Sequence, residues 1–188
     1  MENLNKTDIG LIGLAVMGEN LALNMADKGW RVSVYNRTVP GIEEGVVERF
    51  INGRAQGKSI EGYTDIARFV ESVAVPRKIM MMVRAGSAVD ELMEQLFPLL
   101  SPGDILIDGG NSNYEDTNRR VALAEARGFR FVGGGCIEWS FYHAGRFGKR
   151  LGRSEACFAE YCCQSIRWHA LLPVGGTGRF GTFCQDDS

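Results

Sequence analysis

Residues 9–38 constrain the fold more than any other part of this chain. A short apolar run, Ile-Gly-Leu-Ile-Gly over residues 9–13, leads into a helix pattern over residues 17–28. Leu21, Leu23, Met25 and Ala26 supply its apolar positions and Gly29 ends it. Residues 31–35 then alternate as a second strand. Two strands joined through a helix must lie parallel, because a tight hairpin cannot connect them. The alternation continues downstream. Helix patterns fall at residues 41–54, 63–73, 87–100 and 114–127, and strand patterns at 78–83, 105–108 and 129–132. The predicted fold is therefore α/β: a Rossmann-type doubly wound sheet, mostly parallel, covered on both faces.

The first turn carries chemistry. It reads Gly13-Leu14-Ala15-Val16-Met17-Gly18, a G-x-A-x-x-G pattern between a strand and a helix. Glycine permits the tight turn, and small residues let the backbone approach a pyrophosphate, which the positive end of the helix then stabilises. Glycine-rich turns also serve plain packing, so the position of this one matters more than its letters. The second strand bears on which cofactor fits. A strand that ends in Asp or Glu holds a ribose 2′-hydroxyl. This one ends Tyr35-Asn36-Arg37-Thr38, with no carboxylate to repel a 2′-phosphate. Arg37 offers a fork of donors suited to phosphate and a plane that stacks on adenine. NADP is the expected cofactor, in preference to NAD.

Two further segments fall at carboxyl ends of predicted strands, where such sheets place their ligands. One is Val83-Arg84-Ala85-Gly86 and the other Asp108-Gly109-Gly110-Asn111-Ser112-Asn113. Asn111 can donate and accept toward nicotinamide or substrate. Ser112 or Asn113 is expected to cap the next helix. Arg119 and Arg120 are expected on its solvated face.

Composition narrows the class. The chain has 188 residues, 45% hydrophobic and 23% charged, with a formal net charge of -2. Nothing in that balance draws it to nucleic acid or an anionic membrane. The longest apolar run, residues 79–83, is too short to span a bilayer. The polar start, with Glu2 and Asp8, does not read as a secretory signal. A cytoplasmic enzyme or binding domain is expected.

On these stretches the chain resembles 6-phosphogluconate dehydrogenase. The matching runs are GLAVMGENLALNMADKG, YNRT, AGSAVD and LSPGDILIDGGNSNYEDTNRR, within about the first 135 residues. The resemblance implies an NADP-dependent, decarboxylating oxidoreductase of the pentose phosphate pathway. Such an enzyme turns 6-phosphogluconate into ribulose 5-phosphate through a 3-keto intermediate. It further implies that residues 13–18 hold the pyrophosphate and that Asn36, Arg37 and Thr38 hold the 2′-phosphate end. Val83, Arg84 and Ala85 would lie along the cofactor, with Arg84 standing where the family usually has Lys. Asn111 would touch both cofactor and substrate. The family is usually a homodimer, whose helical C-terminal domain supplies much of the interface and the catalytic Lys and Glu. Two other readings stand beside this one: a truncated, non-catalytic dinucleotide-binding module, and a related β-hydroxyacid dehydrogenase. Asn36-Arg37-Thr38 and the DGGNSNYEDT run favour the first over the last.

The resemblance and the periodicity break together after Gly135. All five cysteines and both histidines lie beyond that point. Where the family continues V-S-G-G, this chain has Cys136-Ile137-Glu138-Trp139. Codons for residues 168–173, read one base later, can encode G-T-P-C-C. Under the same shift residues 180–187 can give S-G-H-F-V-K-M, residues 143–146 M-P-G-G, and residues 158–163 L-Q-S-I-A-A. All four are family stretches in family order, and Cys136-Ile137 can give V-S. Residues 1–135 are thus expected to be the NADP-binding domain. Residues 136–188 are expected to be a frame-shifted tail without regular structure, the helical domain being absent. The family's catalytic Lys belongs to F-V-K-M, where Phe183-Cys184-Gln185-Asp186 stands, so no catalytic residue is carried onto this chain. Cys157, Cys162, Cys163, His143 and His169 match no common zinc spacing, and no metal is expected. Sequencing the DNA across codons 130 to 190 is expected to show one base displaced near codon 135, with an intact family reading frame downstream. An unshifted gene with no such frame overturns the expectation.

Overall fold

The computed structural model describes residues 6–38, 41 and 43–133. The expected tail over residues 136–188, with its cysteines and histidines, lies outside the described residues. Six strands and five α-helices alternate along the chain. They are β1 (Ile9–Ile12), α1 (Val16–Asp27), β2 (Val32–Tyr35), α2 (Val46–Asn52), β3 (Ile60–Tyr63), α3 (Ile66–Ser72), β4 (Lys78–Met81), α4 (Ser87–Leu96), β5 (Ile105–Asp108), α5 (Tyr114–Ala126) and β6 (Arg130–Val132). The strand order is β3-β2-β1-β4-β5-β6. Every pairing among these strands is parallel. The order reverses between β1 and β4, the switch point of a doubly wound sheet.

Strand β3 is absent from the sequence expectation. It is an edge strand in which only Ile60 is buried, and its other residues are Glu61, Gly62 and Tyr63. An edge strand needs no apolar alternation, so periodicity does not reveal it. Three expected helices are shorter than their patterns. Gly45, at φ +62°, holds back the start of α2 to Val46. Residues 97–99, which include Pro98, tighten into a 3-10 turn and end α4 at Leu96. The helix expected from residue 63 starts at Ile66, where the Asp65 side chain accepts from the Arg68 N–H at 2.8 Å.

The two-residue period of the strands sorts the core into two layers. Ile9 and Leu11 of β1, Val32 and Val34 of β2, and Met80 of β4 pack with Leu21, Ala22 and Met25 of α1. Ile12, Ile79, Met81 and Leu106 face the other way, onto α3 and α4 through Phe69, Val70, Val89 and Met93. Each such side chain contributes about 1.5–3 kcal/mol by leaving water.

The same parity puts Asp108 with Leu106 on the face that carries α4 and α5. There it meets Arg120, contrary to the solvated position expected for that arginine. The Arg120 side chain is 0% exposed, because α5 turns Arg120 and Ala124, one helical turn apart, toward the sheet. Arg120 Nε donates to Asp90 Oδ1 at 2.9 Å and Nη2 donates to Asp90 Oδ2 at 3.1 Å. Arg119, a further 100° round the helix, is half-exposed but also donates to Asp90, at 2.9 and 3.0 Å. These contacts tie α5 to α4. Hydrogen bonding from Arg120, opposed by burial and reinforced by Arg119, draws the Asp90 carboxyl down from 3.8 to about 2.

A second buried carboxylate sits at the opposite, amino end of β5. Asp104 is 1% exposed. It accepts from the Arg77 N–H at 2.7 Å, the Ser101 N–H at 2.9 Å and Arg77 Nη1 at 3.0 Å. Arg77 Nε donates to the Val70 carbonyl at 3.0 Å, so this cluster also anchors the end of α3.

Asp104→Ala strands the Arg77 charge and two backbone donors, and is expected to cost about 3–5 kcal/mol in urea unfolding. Asp90 has a depressed folded-state pKa, so its contribution is complete above about pH 4 and fades as pH falls to about 2. Asp90→Asn is expected to lower stability by about 1–2 kcal/mol at pH 7, after screening of a carboxylate 31% exposed. Thermal melts from pH 7 downward are expected to show that difference closing between pH 4 and 2.

Candidate functional site

The turn after β1 is built by close backbone contacts. Gly13 has φ +102°, and a Cβ there would lie 2.4 Å from the Met82 carbonyl oxygen. Its N–H donates to the Tyr35 carbonyl at 2.9 Å, while the Met82 N–H donates to the Ile12 carbonyl at 2.7 Å. The turn is thus clamped between the ends of β2 and β4. A Cβ on Gly18 would lie 1.9 Å from the Gly13 oxygen, so only glycine lets α1 start this close to the turn. Ala15 takes the cap position of α1 and supplies no side-chain acceptor. Among the described residues, no side chain caps the first turn of α1, an arrangement suited to an anion. Leu14 is buried beneath, while Ala15, Val16 and Met17 are exposed above.

Asn36 belongs to the same construction. Its Oδ1 accepts from the Leu14 N–H at 2.9 Å, and its Nδ2 donates to the Arg37 carbonyl at 2.9 Å. Both polar atoms of that side chain have protein partners, so Asn36 shapes the turn as well as lining it. Arg37 and Thr38 are exposed beyond it. Arg37 Nε donates to Glu43 Oε2 at 3.1 Å, and the guanidinium remains 72% exposed.

Across the switch point, the chain after β4 and the chain after β5 run side by side. Arg84 and Ala85 are exposed and Val83 is half-buried. Gly86, at φ +103°, takes the cap position of α4. Asn111 is exposed and Ser112 half-buried. Of the two expected cap candidates, Asn113 is the cap: its Oδ1 accepts from the Asp116 N–H at 2.8 Å. A Cβ on Gly110 would lie 3.0 Å from the Val83 oxygen, so the two loops touch through backbone.

Beneath them lies an ion-pair cluster that sequence reading missed. Buried Asp108 accepts from the Gly110 N–H at 2.9 Å and from Ser112 Oγ at 2.6 Å. Arg120 Nη1 donates to Ser112 Oγ at 2.9 Å and lies 3.5 Å from Asp108 Oδ2. Arg120 Nη2 donates to the Gly86 carbonyl at 2.9 Å. With the two bonds to Asp90, all five guanidinium N–H groups face acceptors. A signal was present in the sequence: Thr117, Arg120 and Ala124 fall on one helical stripe, so an arginine occupies an inward position.

The residues expected to meet the cofactor all lie at the carboxyl ends of the strands. Residues 13–18 and 36–38 flank the β1–β2 side of the switch point, and residues 83–85 and Asn111 the β4–β5 side. The start of α1 with its small residues thus lies on one side of the switch point and the paired loops after β4 and β5 on the other, the place where doubly wound sheets carry their ligands.

Comparison with known proteins bears on which ligand is expected there. Residues 8–136 match the model of the NAD binding domain of 6-phosphogluconate dehydrogenase. A Treponema pallidum protein named 6-phosphogluconate dehydrogenase, decarboxylating, is 56% identical over 128 residues, which are 68% of this chain and 25% of that protein. A Ceratitis capitata protein of the same name is 52% identical over 130 residues, 69% of this chain and 26% of that protein. The chain spans about a quarter of the length of these relatives. Among solved structures, Plasmodium falciparum 6-phosphogluconate dehydrogenase, studied with its cofactor NADP+ and its substrate 6-phosphogluconate, superposes with a TM-score of 0.63. It is 29% identical, over 89% of this chain and 35% of that one. Mycobacterium tuberculosis 3-hydroxyisobutyrate dehydrogenase, 20% identical over 68% of this chain and 40% of its own, shares the fold with a TM-score of 0.54. By its match over residues 8–136, this chain belongs to the 6-phosphogluconate dehydrogenase family, in the part that forms the dinucleotide-binding domain.

Proposed function

We propose that residues 6–133 bind NADP, and bind it better than NAD. The observation that carries this is the exposed Arg37 guanidinium at the end of β2, in a segment with no carboxylate at residues 36–38. The cradle fits the rest of the molecule. Gly13 and Gly18 leave no room for side chains, so backbone can approach a pyrophosphate, with Leu14, Ala15, Val16 and Met17 between them. Asn36, Arg37 and Thr38 take the 2′-phosphate end. Val83, Arg84 and Ala85 run along the nicotinamide side, where Asn111 faces both cofactor and substrate. NADP supplies a hydride acceptor when bound. The protein supplies the grip on its phosphates and the orientation of its ring.

At the level of the whole family protein, the reaction is oxidative decarboxylation of 6-phosphogluconate to ribulose 5-phosphate, in the cytoplasm. The names of the relatives support that reading. A second reading applies to this polypeptide itself: it holds NADP without turning substrate over. The family match ends at residue 136, where the sequence departs from the family pattern, and this supports a shifted frame over residues 136–188. The family's Lys and Glu would then be missing. The resemblance assigns the dimer interface to a helical domain outside residues 6–133, so a homodimer is not proposed for those residues.

Calorimetric titration of the purified chain tests both readings. NADP+ is expected to bind well above NAD+. Arg37→Ala is expected to weaken NADP+ by about 10- to 100-fold, the worth of a charge-assisted hydrogen bond, and to leave NAD+ nearly unchanged. Equal affinity for the two nucleotides overturns the first reading. No NADPH is expected on adding 6-phosphogluconate, and its formation overturns the second.

A further inference from the structure

We infer that Arg120 is the positioning residue of the nicotinamide side of the site, holding the loop after β4 and the loop after β5 at one fixed separation. This rests on the NADP reading above. Arg120 touches none of the residues proposed to meet the cofactor. It grips the residue that follows each set instead. Gly86, whose carbonyl accepts from Nη2 at 2.9 Å, follows Val83, Arg84 and Ala85. Ser112, whose Oγ accepts from Nη1 at 2.9 Å, follows Asn111. One rigid planar group thus spans both loops.

Its own orientation is fixed from behind. Asp90 receives Nε and Nη2 in a two-pronged bond at 2.9 and 3.1 Å. Asp108, at the last position of β5, ties Ser112 and the Gly110 N–H to the sheet at 2.6 and 2.9 Å. The guanidinium is wholly buried, and its charge is offset by these two carboxylates. A group so placed, with every donor used, fixes a distance that a flexible ammonium cannot fix. Among the described residues, the adenine side makes no hydrogen bond to the Arg120 cluster: that side is set by Gly13, Tyr35 and Asn36.

The two halves of the ligand therefore separate the effect. Arg120→Lys keeps a positive charge between the carboxylates but loses the fork. In calorimetric titrations of the chain, Arg120→Lys is expected to weaken NADP+ about 10-fold, while adenosine 2′,5′-bisphosphate, which lacks the nicotinamide half, stays within about 2-fold of wild type. Ser112→Ala removes one arm of the cluster and is the variant to use if Arg120→Lys does not fold. It is expected to shift the same ratio in the same direction, by about 3-fold. A merely structural role would lower the melting temperature and weaken both ligands in parallel, and that result overturns the inference. So does an unchanged ratio of the two affinities. A wild-type chain that binds neither ligand overturns the NADP reading itself, which a changed or unchanged ratio does not.

Discussion

The carbonyl oxygen of Met82 leaves no space for a side chain at residue 13, and the rest of the site follows from that. The contact exists because β1 and β4 are neighbours although α1, β2, α2, β3 and α3 lie between them in sequence. With β4 against β1, the turn after β1 is pressed between the ends of β2 and β4, and α1 begins directly above it. Gly18 is required by the same crowding, one helical turn later. The glycine pattern is thus first a packing requirement of a parallel switch point.

Where a residue's neighbours in sequence decide its position, the sequence was readable. Strand β1, helix α1, the ends of β2 and the Asn113 cap were all legible, because each rests on local periodicity or a local hydrogen bond. Asn36 was legible as a polar residue at the end of β2 but not as the acceptor for the Leu14 N–H, since that bond joins the ends of two strands. Strand β3 was illegible because Glu61 and Gly62 carry no apolar signal on an edge. Arg120 was misassigned for a related reason. A charged residue beside a second arginine reads as surface, and only the folded sheet supplies the two carboxylates that make burial tolerable. One of them, Asp90, comes from another helix, and the other, Asp108, faces α5 only through the parity of β5. The helical stripe of Thr117, Arg120 and Ala124 marks the inward position, but it does not name the carboxylates that meet the arginine there.

The site joins two constructions of different character. Around the ends of β1 and β2 the shape is set by backbone: glycines, strand ends and one asparagine. Around the ends of β4 and β5 it is set by ionised side chains about a single guanidinium. Backbone construction tolerates changes of charge but not of volume. Ionic construction tolerates neither the loss of a partner nor the loss of geometry. The two sides meet where Gly13 approaches Met82 and Val83 approaches Gly110.

Arg77 and Asp104 lie at the other rim of the sheet, away from the carboxyl ends of the strands. Their position divides labour between the two edges. Strand β5 has a buried carboxylate at each end, Asp104 just before it and Asp108 as its last residue. The first ties α3 and β4 to the fold, and the second shapes a binding loop. Inherited or engineered changes in the two places would thus have different fates inside a cell. Damage at the Asp104 rim reduces how much protein escapes unfolding and degradation, and the surviving molecules grip their ligand normally. Damage at the Asp108 rim alters the loop after β5 and also leaves the buried Arg120 charge short of a partner, so abundance falls along with the grip. At one end of a four-residue strand a change reaches abundance alone, and at the other it reaches abundance and affinity together.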